Sequence, residues 1–178
     1  MTVPRHTVLV SDNFPSPTVS RSSRAEVFLS YLEYFRNSVI SRVEALPEGE
    51  ARSSRVCSGW TPLELVKHLT YVEHRWLVWG FEGVAVEDPW GDRRDDRWFV
   101  DPDESIDDVI EALRSQGEQS EIVIRANDLS TIGQPGPRWN GKDEPTLERI
   151  LFHLLQEYAR HLGHLDIVVE IAGGPVGE

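Results

Sequence analysis

The stretch His153-Leu154-Leu155-Gln156-Glu157-Tyr158-Ala159-Arg160-His161-Leu162-Gly163-His164 lies in an otherwise apolar segment near the C-terminal end of the chain. An α-helix advances about 100° per residue, so His153, Glu157, His161 and His164 share an arc of roughly 80°. Leu147, Ile150, Leu151, Leu154, Tyr158, Leu162, Leu165, Val168, Val169 and Ala172 recur at three- and four-residue steps on and beside that arc. The polar groups therefore turn toward the core. A carboxylate buried among imidazoles is costly unless something offsets its desolvation, and a divalent cation does so. The alternative is that these residues ring the mouth of the core and stay solvated.

Outward from this stretch, the spacing predicts a helix that Thr146 opens and that Gly173-Gly174 stops. Before it, Asn127 to Glu144 reads as a break with a short hairpin across Arg138-Trp139-Asn140-Gly141. Ser105 begins an earlier helix with Ile106, Val109, Leu113, Ile122 and Val123 inward and Gly117 weakening its middle. Residues 81 to 103 form an acidic connection with turn signals at Asp88-Pro89-Trp90-Gly91 and Asp101-Pro102-Asp103. There Trp90, Trp98 and Phe99 either roof a pocket or pin the loop to the body.

Trp60-Thr61-Pro62-Leu63-Glu64-Leu65 is a strong helix start, with Thr61 and Glu64 spaced as a capping box and Pro62 in the first turn. Trp60 and Leu65 are spaced to close a hydrophobic staple. That helix runs to about Gly80 and carries His68 beside Leu65, Leu69 and Val72; His74, between Glu73 and Arg75, is expected to face solvent. Taken alone, His68 reads as a satisfied core histidine; the Glu157/His161 pair gives it another meaning. A first amphipathic helix spans Ser23 to Leu46, with Val27, Leu32, Phe35, Val39, Val43 and Leu46 inward, and stops at Pro47 and Gly49. Residues 1–22, with Pro4, Pro15 and Pro17, read as a flexible, extended arm in which Val8, Leu9 and Val10 offer a docking segment.

Beyond that arm, residues 23–178 are long enough for one domain with a sizeable core. Thirty acidic against eighteen basic residues give a formal charge of −12, which repels phosphate backbones and anionic lipid. Nucleic-acid and membrane partners are excluded on that ground. With no apolar run of transmembrane length and no signal-peptide core, cytoplasmic residence is expected. The single Cys57 fits a reducing compartment.

Four long helices with a long crossover behind the second are an all-α, four-helix-bundle pattern, in which metal sites form from facing helices. One His from the second helix and a Glu-x-x-x-His pair from the fourth supply three ligands, leaving a coordination position open. From about residue 25 to 173 the chain resembles the DinB/YfiT-like superfamily, in particular its actinobacterial mini-circle type branch. The resemblance rests on Gly59-Trp60-Thr61-Pro62 leading into Val66-Lys67-His68-Leu69, and on Glu157-Tyr158-Ala159-Arg160-His161-Leu162-Gly163-His164-Leu165-Asp166. The usual last-helix pattern there is His-x-x-x-His-x-Gly-Gln; Glu157 stands at its first His and His164 at its Gln. Related mycothiol-dependent maleylpyruvate isomerases use a His, Glu, His set, so the resemblance implies His68, Glu157 and His161 as metal ligands.

It also implies thiol-dependent chemistry: an S-transferase or isomerase with a mycothiol- or bacillithiol-type cosubstrate and a small-molecule electrophile. A neutral-donor-rich set suits Zn²⁺, or Ni²⁺, better than Mg²⁺ or Ca²⁺. His164 and His153 are candidates to orient a ligand or take a proton, and Arg160 to accept an anionic group. Against them stand a loop cap for His164, a bond to the first helix for His153 and a surface ion pair for Arg160. Two other functions stay open, a hydrolase in which metal-bound water attacks and a non-catalytic metal-stabilised binding protein. A homodimer is expected, with apolar residues to spare on the first and third helices.

Overall fold

The computed structural model describes residues 14–175. Helix α1 spans Arg24–Glu44, a one-turn α2 spans Glu48–Ala51, α3 spans Pro62–Glu73, α4 spans Ile106–Ala126 and α5 spans Leu147–Ile171. Each long helix starts where a side chain replaces a missing backbone partner. Ser23 accepts from the Glu26 N–H, Ser105 from Asp108 and Thr146 from Arg149. Thr61 and Glu64 make the full reciprocal box, with Pro62 in the first turn. At the far end α5 runs into Gly173, whose φ of +82° suits glycine.

Around the bundle, α1 packs on α5, α5 on α3, α3 on α4 and α4 on α1. Leu32, Val39, Val43, Leu65, Leu69, Leu113, Leu151, Leu154 and Leu165 fill the interior. The described end of the N-terminal arm has no helix or strand, and Phe14 packs edge-on against Tyr31 and Tyr34 of α1 at 5.4 and 5.1 Å. The Val8-Leu9-Val10 segment lies outside the described residues.

Several expectations need correction. The α3 axis continues past Glu73 as a π-helical segment, His74–Phe81, rather than as regular α-helix. Glu73, the last residue of α3, is buried, and within the widened turn Arg75 is buried and His74 half-buried, its ring hydrogen-bonded to Gln116. Ile122 and Val27 point to solvent, because the apolar stripe of each helix drifts off the core at that position. In place of a hairpin across Arg138–Gly141 there is a 3-10 turn, Pro137–Trp139, ended by Asn140 in the left-handed region. A short antiparallel hairpin lies instead inside the acidic connection, where β1 (Arg93–Arg94) pairs with β2 (Arg97–Trp98). Asp95 and Asp96 turn it, both with positive φ.

Candidate metal centre

The capping box fixes where α3 begins, and two turns later His68 falls on its buried face among Leu65, Leu69 and Val72. Helix α5 presents Glu157 and His161 one turn apart. The α3–α5 contact brings a donor atom from each of His68, Glu157 and His161 within 4.8 Å of one another. His68 and His161 are buried and Glu157 is half-buried. Hydrogen bonding from His161 is the main influence holding the Glu157 carboxyl below its usual range. His161 Nε2 lies 3.2 Å from Glu157 Oε2, while His161 Nδ1 is buried without any hydrogen-bond partner.

Asp92 completes the arrangement. The His68 Nδ1–H donates to Asp92 Oδ2 at 2.9 Å, leaving Nε2 of that ring as its lone-pair nitrogen. Arg75 grips the same carboxylate with both terminal nitrogens, at 2.6 and 3.2 Å. Burial pushes the Asp92 pKa up, but His68 and Arg75 together hold it down. Burial also lowers the His68 pKa, partly offset by the Asp92 hydrogen bond, which favours the neutral ring a metal requires. Trp98 of β2 lies on the His68 ring at 4.2 Å and 20° between planes, and 5.4 Å from His161. It roofs the cluster. Trp90 and Phe99 pin the loop instead, Trp90 under Arg75 at 4.4 Å and Phe99 under Lys67 of α3 at 5.9 Å.

The other candidates lie further out. His153 Nε2 sits 3.4 Å from Glu157 Oε1, and its ring packs 4.4 Å from Trp76, not against α1. His164 is exposed with its ring 5.7 Å from that of His161, and Arg160 is exposed. Cys57 is exposed and free.

Asp92 and Arg75 were not among the residues singled out by sequence. The signal is the turn Asp88-Pro89-Trp90-Gly91, since a Cβ at Gly91 would collide with the Tyr71 hydroxyl. That glycine lets the loop approach α3 closely enough for Asp92 to meet His68. A second buried network was also missed. Glu73, fully buried, takes Arg36 in a two-pronged ion pair at 2.7 and 3.0 Å and accepts from Tyr158 and Ser120. Burial raises the Glu73 pKa, but the Arg36 charge and these donors bring it below its usual value.

The donor set suits a divalent ion. Two imidazoles and one carboxylate converge, and one imidazole is braced by a buried carboxylate. A four-helix bundle of this topology is that of the DinB/YfiT-like superfamily. Within it, the mycothiol-S-transferase family description matches residues 27–174, and the chain belongs to that family. Among solved structures it is similar to YfiT from Bacillus subtilis, described as a probable metal-dependent hydrolase with an unusual four-helix bundle topology. That likeness has a TM-score of 0.62 at 15% identity, over 93% of this chain and 97% of the other. A DinB-like protein from Bacillus cereus ATCC 10987 is similar with a TM-score of 0.60 at 18% identity, over 86% and 95%. At these identities the likeness is one of fold. A search of curated proteins found no match. Among the described residues no helix is long and apolar enough to cross a membrane.

Proposed function

We propose that the chain is a metal-dependent thiol transferase, joining the sulfur of a mycothiol-type small thiol to a small-molecule electrophile. The observation that carries this reading is the convergence of His68, Glu157 and His161, three donors rather than four, in a chain of the mycothiol-S-transferase family. His68, Glu157 and His161 would hold Zn²⁺, or Ni²⁺, by donor type. A divalent metal there supplies Lewis acidity and lowers the pKa of a thiol entering its open position. Asp92 keeps the His68 ring in the tautomer that leaves Nε2 free, and Trp98 keeps bulk water off the His68 face.

In the transfer, the thiol sulfur bonds to the electrophilic carbon, the leaving group departs with its electron pair, and the thiol proton must go to a base. His153 is suited to take it at a ring nitrogen, since burial lowers its pKa and keeps it neutral. His164 is a second acceptor at the outer edge, and Arg160 is placed there to draw in anions. Exposed Phe152, Ile167 and Ile171 on α5 favour a homodimer, which light scattering coupled to gel filtration tests.

The test is elemental analysis of untagged protein beside His68→Ala, Glu157→Ala and His161→Ala, followed by turnover of an electrophile with and without thiol. We expect close to one transition metal per chain in the wild type, its loss in each variant, and turnover only when thiol is present. Turnover that persists without thiol would favour the hydrolase; metal-free, folded wild-type protein would remove the metal site.

A further inference from the structure

Among the described residues two buried side-chain nitrogens have no hydrogen-bond partner, Nδ1 of His161 in the cluster and Nε of Arg138. Such orphans are rare, because a desolvated donor left unpaired costs about 1–3 kcal/mol. Arg138 is unusual in a second way. The other lysines and arginines that are buried or half-buried, namely Arg36, Arg42, Arg52, Lys67 and Arg75, each face a carboxylate. Arg138 is half-buried and faces none among the described residues, in a chain with thirty acidic residues.

Its surroundings are indole. The guanidinium carbon lies 4.3 Å from the ring centroid of Trp76, 5.8 Å from Trp79 and 5.7 Å from Trp139. The 3-10 turn that carries Arg138 is pinned by the Trp139 indole N–H, which donates to the Gln134 carbonyl at 2.8 Å. Stacking on indole faces tolerates a cation but leaves the in-plane N–H groups of the guanidinium unpaired. Those are the groups that recognise a carboxylate in two-pronged fashion. Trp76 links this arginine to the centre: it lies 4.4 Å from the His153 ring, and His153 Nε2 is 3.4 Å from Glu157 Oε1.

We propose that Arg138, held by Trp76 and flanked by His153, binds a carboxylate of the electrophile that reacts at the His68/Glu157/His161 centre. The electrophile is then an organic acid and not a neutral molecule. This rests on the metal-dependent reading above and names the substrate class for it. Burial and the nearby Arg75 charge lower the Arg138 pKa, so the bound carboxylate relieves a charge the fold leaves unbalanced.

The test uses full-length Zn²⁺-loaded protein in the presence of 2-mercaptoethanol, titrated with propionate and with propionamide as its neutral isostere. Affinity is read by calorimetry and the place of binding by the Arg138 Nε–H resonance. Propionate is expected to bind at least about tenfold more tightly than propionamide, the gain of one charge-assisted pairing (about 1.4 kcal/mol per tenfold), and to move that resonance. Arg138→Gln should remove the preference and Arg138→Lys retain part of it. A merely structural arginine would leave acid and amide indistinguishable in the wild type, and that result overturns the proposal even if Arg138→Gln fails to fold. So does a preference that survives in Arg138→Gln, or propionate that displaces 2-mercaptoethanol from the metal. The same titration without Zn²⁺ separates the two readings: if Zn²⁺ does not bind but propionate still moves the Arg138 resonance, the metal site fails and the carboxylate site stands.

Discussion

A His68 imidazole that gives one nitrogen to Asp92 has only the other left for a ligand, and Asp92 is itself held by Arg75. Asp92→Asn keeps the shape but removes the charge on which both depend. Outer partners of metal-binding histidines typically contribute 10–100-fold in affinity, and we expect a loss of about that size in competition with a chromophoric chelator. Melting should fall as well, since Arg75 is left buried beside a neutral amide. Protonation acts on the same residues. Burial holds His68 and His153 below the ordinary imidazole value of 6.5, so the folded state prefers both rings neutral. The unfolded chain takes up protons first as pH falls through 6.5, so this stability is complete above that pH and is lost below it. Asp92 and Glu157, depressed from 3.8 and 4.5, contribute stability above those values that is lost as pH falls further. Urea midpoints of metal-free protein should be level from pH 8 to 7 and decline below 6.5; a midpoint that rises between pH 7 and 5 would contradict this. The cluster residues were legible because His and Glu on an apolar helical face stand out by type and period. Asp92 was not, since an aspartate in an acidic loop looks like its neighbours until the loop is folded against α3.

Among elements, α4 and α5 each carry a glycine in helical territory, with opposite consequences. A Cβ at Gly117 would meet Arg36 at 2.9 Å from Cδ and 3.0 Å from Nε, in the side chain that neutralises buried Glu73. A Cβ at Gly163 meets nothing within 4 Å. Helix propensity alone favours alanine at both by up to about 1 kcal/mol. We expect Gly163→Ala to raise stability by about 0.5–1 kcal/mol and Gly117→Ala to lower it in denaturant titrations, because the gain is outweighed by displaced Arg36. The helices themselves were readable from caps and periodicity, which act over a few residues. The π-helical turn was not, because its apolar residues fit an ordinary helix equally well and the partner of its buried Arg75, Asp92, lies seventeen residues on in the acidic connection. The hairpin of the acidic connection escaped for a related reason: two paired residues on each side leave no alternating pattern to see.

At the scale of the molecule, the proposed ligands tie α3 to α5, so an ion there would join two of the four walls. A ligand at a hundredfold excess over its dissociation constant adds about 2.7 kcal/mol to stability. For a chain of 178 residues that corresponds to a melting temperature higher by roughly 5–10 °C. Removing metal with a chelator should lower the melting temperature of the wild type by that amount and leave His161→Ala unchanged; equal shifts in both would place the ion elsewhere.

Arg75 and Trp76 are consecutive residues of the widened turn, yet one reaches Asp92 and through it His68, while the other reaches His153 and Arg138. Both sides of the centre are therefore phased by one short run, from His68 in α3 into the start of the widened turn at His74. Substitutions elsewhere in the bundle leave that phase alone, whereas losing one residue between His68 and Arg75 would rotate both side chains by about 100° relative to His68. Descent from a common ancestor should then have left a record: gaps among family sequences crowd into 82–105 and 127–145, and the run from His68 to Trp76 keeps its count.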